Sequence, residues 1–253
     1  MYLNEIIEHK RNEIKGLIPS AQSRTRAVLD PLDHLREKPF ICEIKKASPS
    51  RGAINQAVDI VGQARLYERG GAGAVSVLTD ARYFQGSYGF LTEIAGAVKT
   101  PLLCKDFIIS EIQIDNAFAH GADFILLIAS ILNVRELYFL TRRAHHYSMK
   151  VLYEIHEAEE FRKIKALDPE MVGVNSRDLK TFAINKEKAM GTIGSLNGDF
   201  MKIAESGIET ADDIIRFRKA GADAYLIGTA LMTAGDPAAK LKEFHNALVR
   251  PCS

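Results

Sequence analysis

At 253 residues, 47% of them hydrophobic, the chain is long enough for one α/β barrel with a large core. Its 33 Lys and Arg against 32 Asp and Glu leave no basic excess for a nucleic-acid backbone and no acidic tail. Cys42, Cys104 and Cys252 lie far apart with no Cys-x-x-Cys spacing, which argues against a disulfide framework or a zinc site and fits a reducing cytoplasm.

The N-terminal stretch carries Glu5, Glu8, Lys10, Arg11 and Glu13 where an export signal needs an unbroken apolar region, so a cytoplasmic protein is expected. Leu3, Ile6, Ile7, Ile14, Leu17 and Ile18 recur near helical spacing and predict an amphipathic helix with one face for burial. No apolar run approaches the roughly 20 residues of a membrane helix, so no membrane partner is expected.

From residue 40 the chain repeats. Gly71-Ala72-Gly73, Gly121-Ala122-Asp123 and Gly221-Ala222-Asp223 fall on a period of 50 residues, each after an amphipathic segment and before an apolar run. The same phase predicts a strand near 171, where Met171-Val172-Gly173-Val174-Asn175 stands. Each glycine is expected to end a helix in the left-handed conformation before a tight turn into a strand. Apolar runs at 40–44, 101–104, 151–155 and 202–204 lie halfway between and complete eight strands, and helical patterns separate them, as at 59–69, 133–144 and 212–220. Strands and helices alternating at about 25 residues per unit imply a parallel sheet, and eight units favour closure. The predicted fold is a single (β/α)8 TIM barrel over 1–253, with 1–39 as a helical extension and 40–253 as eight βα units.

Barrel chemistry gathers at the C-terminal ends of the strands. Strand 1 ends with Glu43 and Lys45, strand 3 with Lys105, strand 5 with Glu154, strand 6 with Asn175 and Arg177, and strand 7 with Glu205. Alternation puts Glu43 with Lys45, and Asn175 with Arg177, on the same side of their strands. Burying one such charge unpaired costs roughly several kcal/mol, so three carboxylates and three cations need one another or a charged ligand. A single strand-end charge is readily structural; six that converge point to a site.

Ser206-Gly207 after strand 7 and Gly228-Thr229 after strand 8 set a small hydroxyl residue beside a glycine, in the loops where barrels commonly bind phosphate. Ser48, in the Ser-Pro-Ser-Arg-Gly run at 48–52, adds a hydroxyl after strand 1. The expected ligand is therefore a small phosphorylated anion. Gly70, Gly71 and Gly73 end a helix and open a strand, the reverse of a dinucleotide fingerprint, and the seven histidines show no metal-ligand spacing. Cys42 and Cys104 alternate away from the charged positions and are expected to be core filler.

The run Cys-Glu-Ile-Lys-Lys-Ala-Ser-Pro-Ser-Arg-Gly at 42–52 resembles the strand-1 signature of the indole-3-glycerol phosphate synthase family, Glu-Ile-Lys-x-x-Ser-Pro-Ser-x-Gly. Ser-Val-Leu-Thr-Asp at 76–80, Phe-Gln-Gly-Ser at 84–87, Lys-Asp-Phe-Ile-Ile at 105–109, Arg-Asp-Leu-Lys-Thr-Phe at 177–182 and Glu-Ser-Gly-Ile at 205–208 follow in that family's order. The resemblance extends to Leu-Ile-Gly-Thr-Ala-Leu-Met at 226–232.

It implies a carboxy-lyase of tryptophan biosynthesis that acts without metal or organic cofactor. Such enzymes convert 1-(2-carboxyphenylamino)-1-deoxyribulose 5-phosphate to indole-3-glycerol phosphate by ring closure, decarboxylation and dehydration. By resemblance Lys105 is the general acid on the substrate carbonyl, Lys45 holds the carboxylate and assists a later proton transfer, and Glu154 is the acid or base of dehydration. Glu43, Asn175, Arg177 and Glu205 position substrate and partner charges. Ser48, Ser206, Gly207, Gly228 and Thr229 hold the phosphate, and Phe107 and Leu179 line the slot for the aromatic ring. The chain departs from the family's usual residues at Cys104, Ile112, Ser176 and Thr229, none of them a proposed proton-transfer group. Two alternatives stand beside this reading: another phosphate-binding barrel such as phosphoribosylanthranilate isomerase, which needs a different acid–base pair, and an inactive barrel kept as a binding subunit, which would have lost at least one core charge.

Overall fold

A computed structural model describes residues 2–48, 52–53 and 58–249. In chain order it contains α1 (Tyr2–Glu13), α2 (Pro31–Glu37), β1 (Phe40–Ile44), α3 (Ile60–Arg69), β2 (Ala74–Leu78), α4 (Ala81–Phe84), α5 (Tyr88–Ala95), β3 (Leu102–Lys105), α6 (Glu111–Ala119) and β4 (Phe124–Ile128). There follow α7 (Val134–His146), β5 (Lys150–Ile155), α8 (Phe161–Ile164), β6 (Met171–Asn175), α9 (Lys186–Ser195), β7 (Met201–Glu205), α10 (Ala211–Lys219), β8 (Ala224–Ile227), α11 (Thr229–Met232) and α12 (Pro237–Leu248). Among the described residues β1 to β8 pair in parallel, each with its neighbour in sequence, and β8 returns to β1 to close the barrel. The expected (β/α)8 architecture is the one observed.

Period-two alternation sorts the strand residues into two cores. Ile41, Leu103, Phe124, Leu126, Leu152, Met171, Ile203 and Leu226 fill the barrel interior. Phe40, Cys42, Val75, Cys104, Ile125, Val151, Val172 and Tyr225 face the helices, so the two thiols fill the outer layer as expected. Helix starts are fixed by side-chain caps: Asp59, Asn133, Thr210 and Asp236 each accept a backbone N–H of the following turn. Helix ends carry the repeat: Gly71, Gly121 and Gly221 sit at φ 89, 100 and 98, and Asp168 takes the left-handed conformation where the fourth copy lacks a glycine.

The N-terminal segment spans both ends of the barrel. The structure shortens its first helix: α1 stops at Glu13, a single tight turn covers Ile14–Gly16, and Leu17 is extended. Ile18, expected on the buried face, is 76% exposed. Gly16 and Pro19 follow the apolar stripe too closely for the helix to continue. Residues 20–29 then run to the base, where Asp123, just before β4, accepts from Leu29 N at 3.0 Å and Leu102 N at 2.8 Å. It also pairs with Arg24 at 2.6 Å and with Arg26. At that end α2 packs on the turn into β2; a Cβ on Gly73 would lie 3.1 Å from both His34 O and Leu35 Cδ2.

Candidate active site

The C-terminal ends of the strands open into a cavity lined by Glu43, Lys45, Lys105, Phe107, Glu154, Asn175, Arg177, Leu179, Glu205, Ser206, Gly207, Gly228 and Thr229. These include every site residue read from the sequence except Ser48, whose side chain lies outside the described residues, as do Pro49, Ser50 and Arg51 of the same run.

The charges fall into two groups. On β1, Lys45 Nζ donates to Glu43 Oε1 at 2.7 Å. Across the barrel, Lys105 Nζ lies 3.5 Å from Glu154 Oε2 and 3.9 Å from Glu205 Oε2. Both glutamates are 1% exposed. Two glycines make these approaches possible. Gly173 on β6 pairs in register with Glu154, and a Cβ there would overlap the Glu205 carboxylate. A Cβ at Gly228 would overlap Glu43 Oε1 and come within 2.8 Å of Lys45 Nζ.

Proximity pulls the protonation of these groups apart. Burial opposes the charge on Lys105, but Glu154, Glu205 and Glu43 outweigh it and raise its pKa, so it is an ammonium at neutral pH. Burial and the Glu154 charge push Glu205 well above the usual carboxylate range. Burial would raise Glu43 too, yet Lys45 and Lys105 together hold it below that range. The site thus offers a buried ammonium, a carboxylate and a second carboxyl whose surroundings favour its protonated form within one pocket.

The loops that carry the remaining residues are braced locally. Gln113 accepts from Ile109 N and Ser110 N and donates to Phe107 O at 3.0 Å, fixing the turn that presents Phe107. Asn175 Oδ1 accepts from Arg177 N at 2.9 Å, and Arg177 Nη1 donates to Phe182 O at 3.1 Å. Phe182 at φ 60 closes this loop and sets Leu179, Phe182 and Ile184 at the mouth. Ser206 and Gly207 leave β7 at φ 65 and 72. A non-glycine residue held there stores about 1–3 kcal/mol, a strain that concentrates at ligand sites.

Several lining groups had no place in the sequence reading. Leu3 and Ile6 of α1 lie over the cavity, beside Phe84, Asp80 and Asp106. Lys10, fully buried, joins α1 to the mouth: its Nζ is 2.8 Å from Asp80 Oδ2 and 3.0 Å from Asp106 Oδ1. Burial opposes its charge, but Asp106 and Asp80 raise its pKa. The signal was present, because Lys10 continues the stripe of Leu3, Ile6 and Ile7 at i, i+3, i+4, i+7, and a lysine on a buried stripe needs a buried anion. Among the described residues no three His, Cys, Asp or Glu side chains cluster as metal ligands.

A family model described as indole-3-glycerol phosphate synthase matches residues 3–244. A curated protein of that name from an Exiguobacterium species is 41% identical over 251 residues, covering 96% of this chain and 95% of its own. One from a Bacillus cereus strain is 41% identical over 235 residues, covering 92% and 93%. Solved barrels are alike in fold alone: a 3-hexulose-6-phosphate synthase superposes with a TM-score of 0.66 at 17% identity, covering 83% of this chain and 99% of that one.

Proposed function

This chain belongs to the indole-3-glycerol phosphate synthase family, and from that premise we propose which of its side chains move each proton and which hold the phosphate. The reaction is that of a carboxy-lyase of tryptophan biosynthesis. Ring closure, decarboxylation and dehydration convert 1-(2-carboxyphenylamino)-1-deoxyribulose 5-phosphate to indole-3-glycerol phosphate. The isomerase and binding-subunit alternatives give way to it.

The observation that carries the assignment is Lys105 Nζ lying between Glu154 and Glu205 at the base of the cavity. As an ammonium it donates to the substrate ketone while the aromatic ring attacks. Glu154, within reach of the same atoms, serves the dehydration, and Glu205 stores a proton beside it. Glu43 fixes Lys45 for the substrate carboxylate, and Asn175 and Arg177 hold the adjoining wall. The carboxylate leaves as carbon dioxide with its bonding electron pair returned to the ring, a step favoured once closure has taken the ring out of aromaticity.

The left-handed Ser206-Gly207 turn and the neighbouring Gly228-Thr229 support phosphate binding between β7 and β8. Gly228 also clears room for Glu43 and Lys45. Phe84, Phe107, Leu179 and the α1 residues Leu3 and Ile6 form an apolar wall for the aromatic ring. Near-balanced charge speaks against a polyanionic partner, and free buried Cys42 and Cys104 fit a reducing cytoplasm. Packing of α1 on the mouth and of α2 on the base supports residues 1–253 as one domain.

The test is a fluorescence assay for indole-3-glycerol phosphate with the unmodified protein and Lys105→Ala. A loss of kcat of at least about 100-fold, with the circular dichroism spectrum retained, is expected for removal of a general acid. Turnover that survives in the variant overturns the assignment of Lys105.

A further inference from the structure

The reaction consumes a proton, which the site must obtain from solvent. One proton goes to the ketone oxygen, and a second goes with that oxygen as it leaves as water. One returns from the substrate carbon that enters the new double bond, so each turnover takes up one proton net. The departing carboxylate returns none, because it leaves as neutral carbon dioxide.

We propose that His156, with Glu160 behind it, is the route by which this proton enters, passing to Glu154 and through it to Lys105. The proposal rests on the roles assigned above to Lys105 and Glu154. His156 stands two residues beyond Glu154, on the same side as β5 ends. Its Nε2 lies 3.7 Å from Glu154 Oε1, and both atoms are buried without a hydrogen-bond partner. A separation of 3.7 Å is longer than a hydrogen bond, but a small rotation of the imidazole or one bridging water closes it. Two facing, desolvated and unsatisfied polar atoms are costly to the fold, and such an exception calls for a functional explanation.

The other imidazole nitrogen, Nδ1, lies 3.7 Å from Glu160 Oε2, an oxygen that also accepts from His156 N at 2.7 Å. Side-chain exposure rises outward, from 1% at Glu154 to 15% at His156 and 21% at Glu160, as a path to solvent requires. On the far side, Glu154 Oε2 meets Lys105 Nζ at 3.5 Å. The charged groups facing His156 are Glu154 on β5, Glu160 before α8 and Asp178 after β6, while Lys163 of α8 acts on Glu160. Burial opposes the imidazolium, but Glu160 and Glu154 outweigh it and raise the pKa of His156, which favours the donor form. Each transfer moves only a proton: imidazolium to carboxylate on the inner side, then uptake from Glu160 or water on the outer side.

The experiment is kcat and KM as a function of pH for the unmodified enzyme, His156→Ala, His156→Asn and Glu154→Gln, with imidazole added back to His156→Ala. Loss of the relay is expected to lower kcat by about 10- to 100-fold with KM within about twofold, and to remove the fall in kcat that accompanies deprotonation of His156 as pH rises. Free imidazole should restore kcat several-fold in His156→Ala, which a purely structural histidine would not allow. His156→Asn serves if the alanine variant fails to fold. Unchanged kcat and alkaline limb in a folded variant, or losses in His156→Ala that imidazole does not reverse, overturn the relay. An active Glu154→Gln would instead sink the role of Glu154, a failure the other variants do not produce.

Discussion

At the residue scale, function comes from burying groups that water would keep ionised, so that burial and neighbouring charges decide their protonation. Glu205 is the clearest case. Its carboxyl is buried beside Glu154 over the bare Cα of Gly173, and both circumstances favour its protonated form. A carboxyl whose pKa is raised on folding penalises the fold as pH climbs above the unfolded value near 4.3, and the penalty is complete once pH passes the folded value. Glu205→Gln is therefore expected to melt like the unmodified protein near pH 4, to become increasingly more stable than it as pH rises to about 8, and to lose most of its activity. Thermal melts across that range check the first part, and product assays the second. The charges themselves were legible because Glu and Lys stand out on apolar strands. Gly173 was not, since a glycine within Met-Val-Gly-Val-Asn shows no sign of whose side chain needs its space.

At the element scale, α1 is a wall of the site, pinned to the mouth by one buried lysine beside its apolar stripe of Leu3, Ile6 and Ile7. Lys10 takes its charge from solvent into a cluster with Asp80 and Asp106, and Thr79 Oγ1 donates to Asp106 at 2.7 Å to complete it. Because the pKa of Lys10 is raised, the contribution is fully present below the ordinary lysine range and is lost only as pH climbs through the higher folded value. Lys10→Met leaves two buried carboxylates facing each other and is expected to cost about 3–5 kcal/mol. The expected kinetic signature is a KM rise of about tenfold, equivalent to about 1.4 kcal/mol of lost contact as Leu3 and Ile6 withdraw, with a smaller change in kcat. Steady-state kinetics and a denaturant titration test it, and unchanged KM would mean that α1 does not touch the bound substrate. The sequence announced an amphipathic helix here but overran its end, because Ile14, Leu17 and Ile18 kept the apolar count going past Gly16 and Pro19.

At the scale of the whole molecule, the two ends of the barrel divide the labour. Chemistry occupies the C-terminal mouth, while the base is tied by Asp123, which gathers Arg24, Arg26, Leu29 N and Leu102 N around one buried carboxylate. Asp123→Ala is expected to lower stability by about 3–5 kcal/mol, since it strands two partly buried guanidiniums. Below its melting point the variant should keep kcat within a few-fold, because the base carries stability rather than catalysis. A shifted urea midpoint with near-normal kinetics is the result to look for; a large kcat loss would show that the base is coupled to the mouth.

What the sequence by itself determined was everything periodic. A repeat of 50 residues, strands alternating on a period of two and helices on 3.6 fixed the order of elements, the closed barrel and the strand ends that carry charge. These are local properties, written in neighbours along the chain. Only the tertiary structure decided that Lys105 meets Glu154 and Glu205 rather than Glu43, that Gly173 and Gly228 make room for the carboxylates, and that Lys10 locks α1 over the mouth. Those contacts join residues far apart in sequence, and their distances follow from barrel register and side-chain packing, which no local pattern encodes.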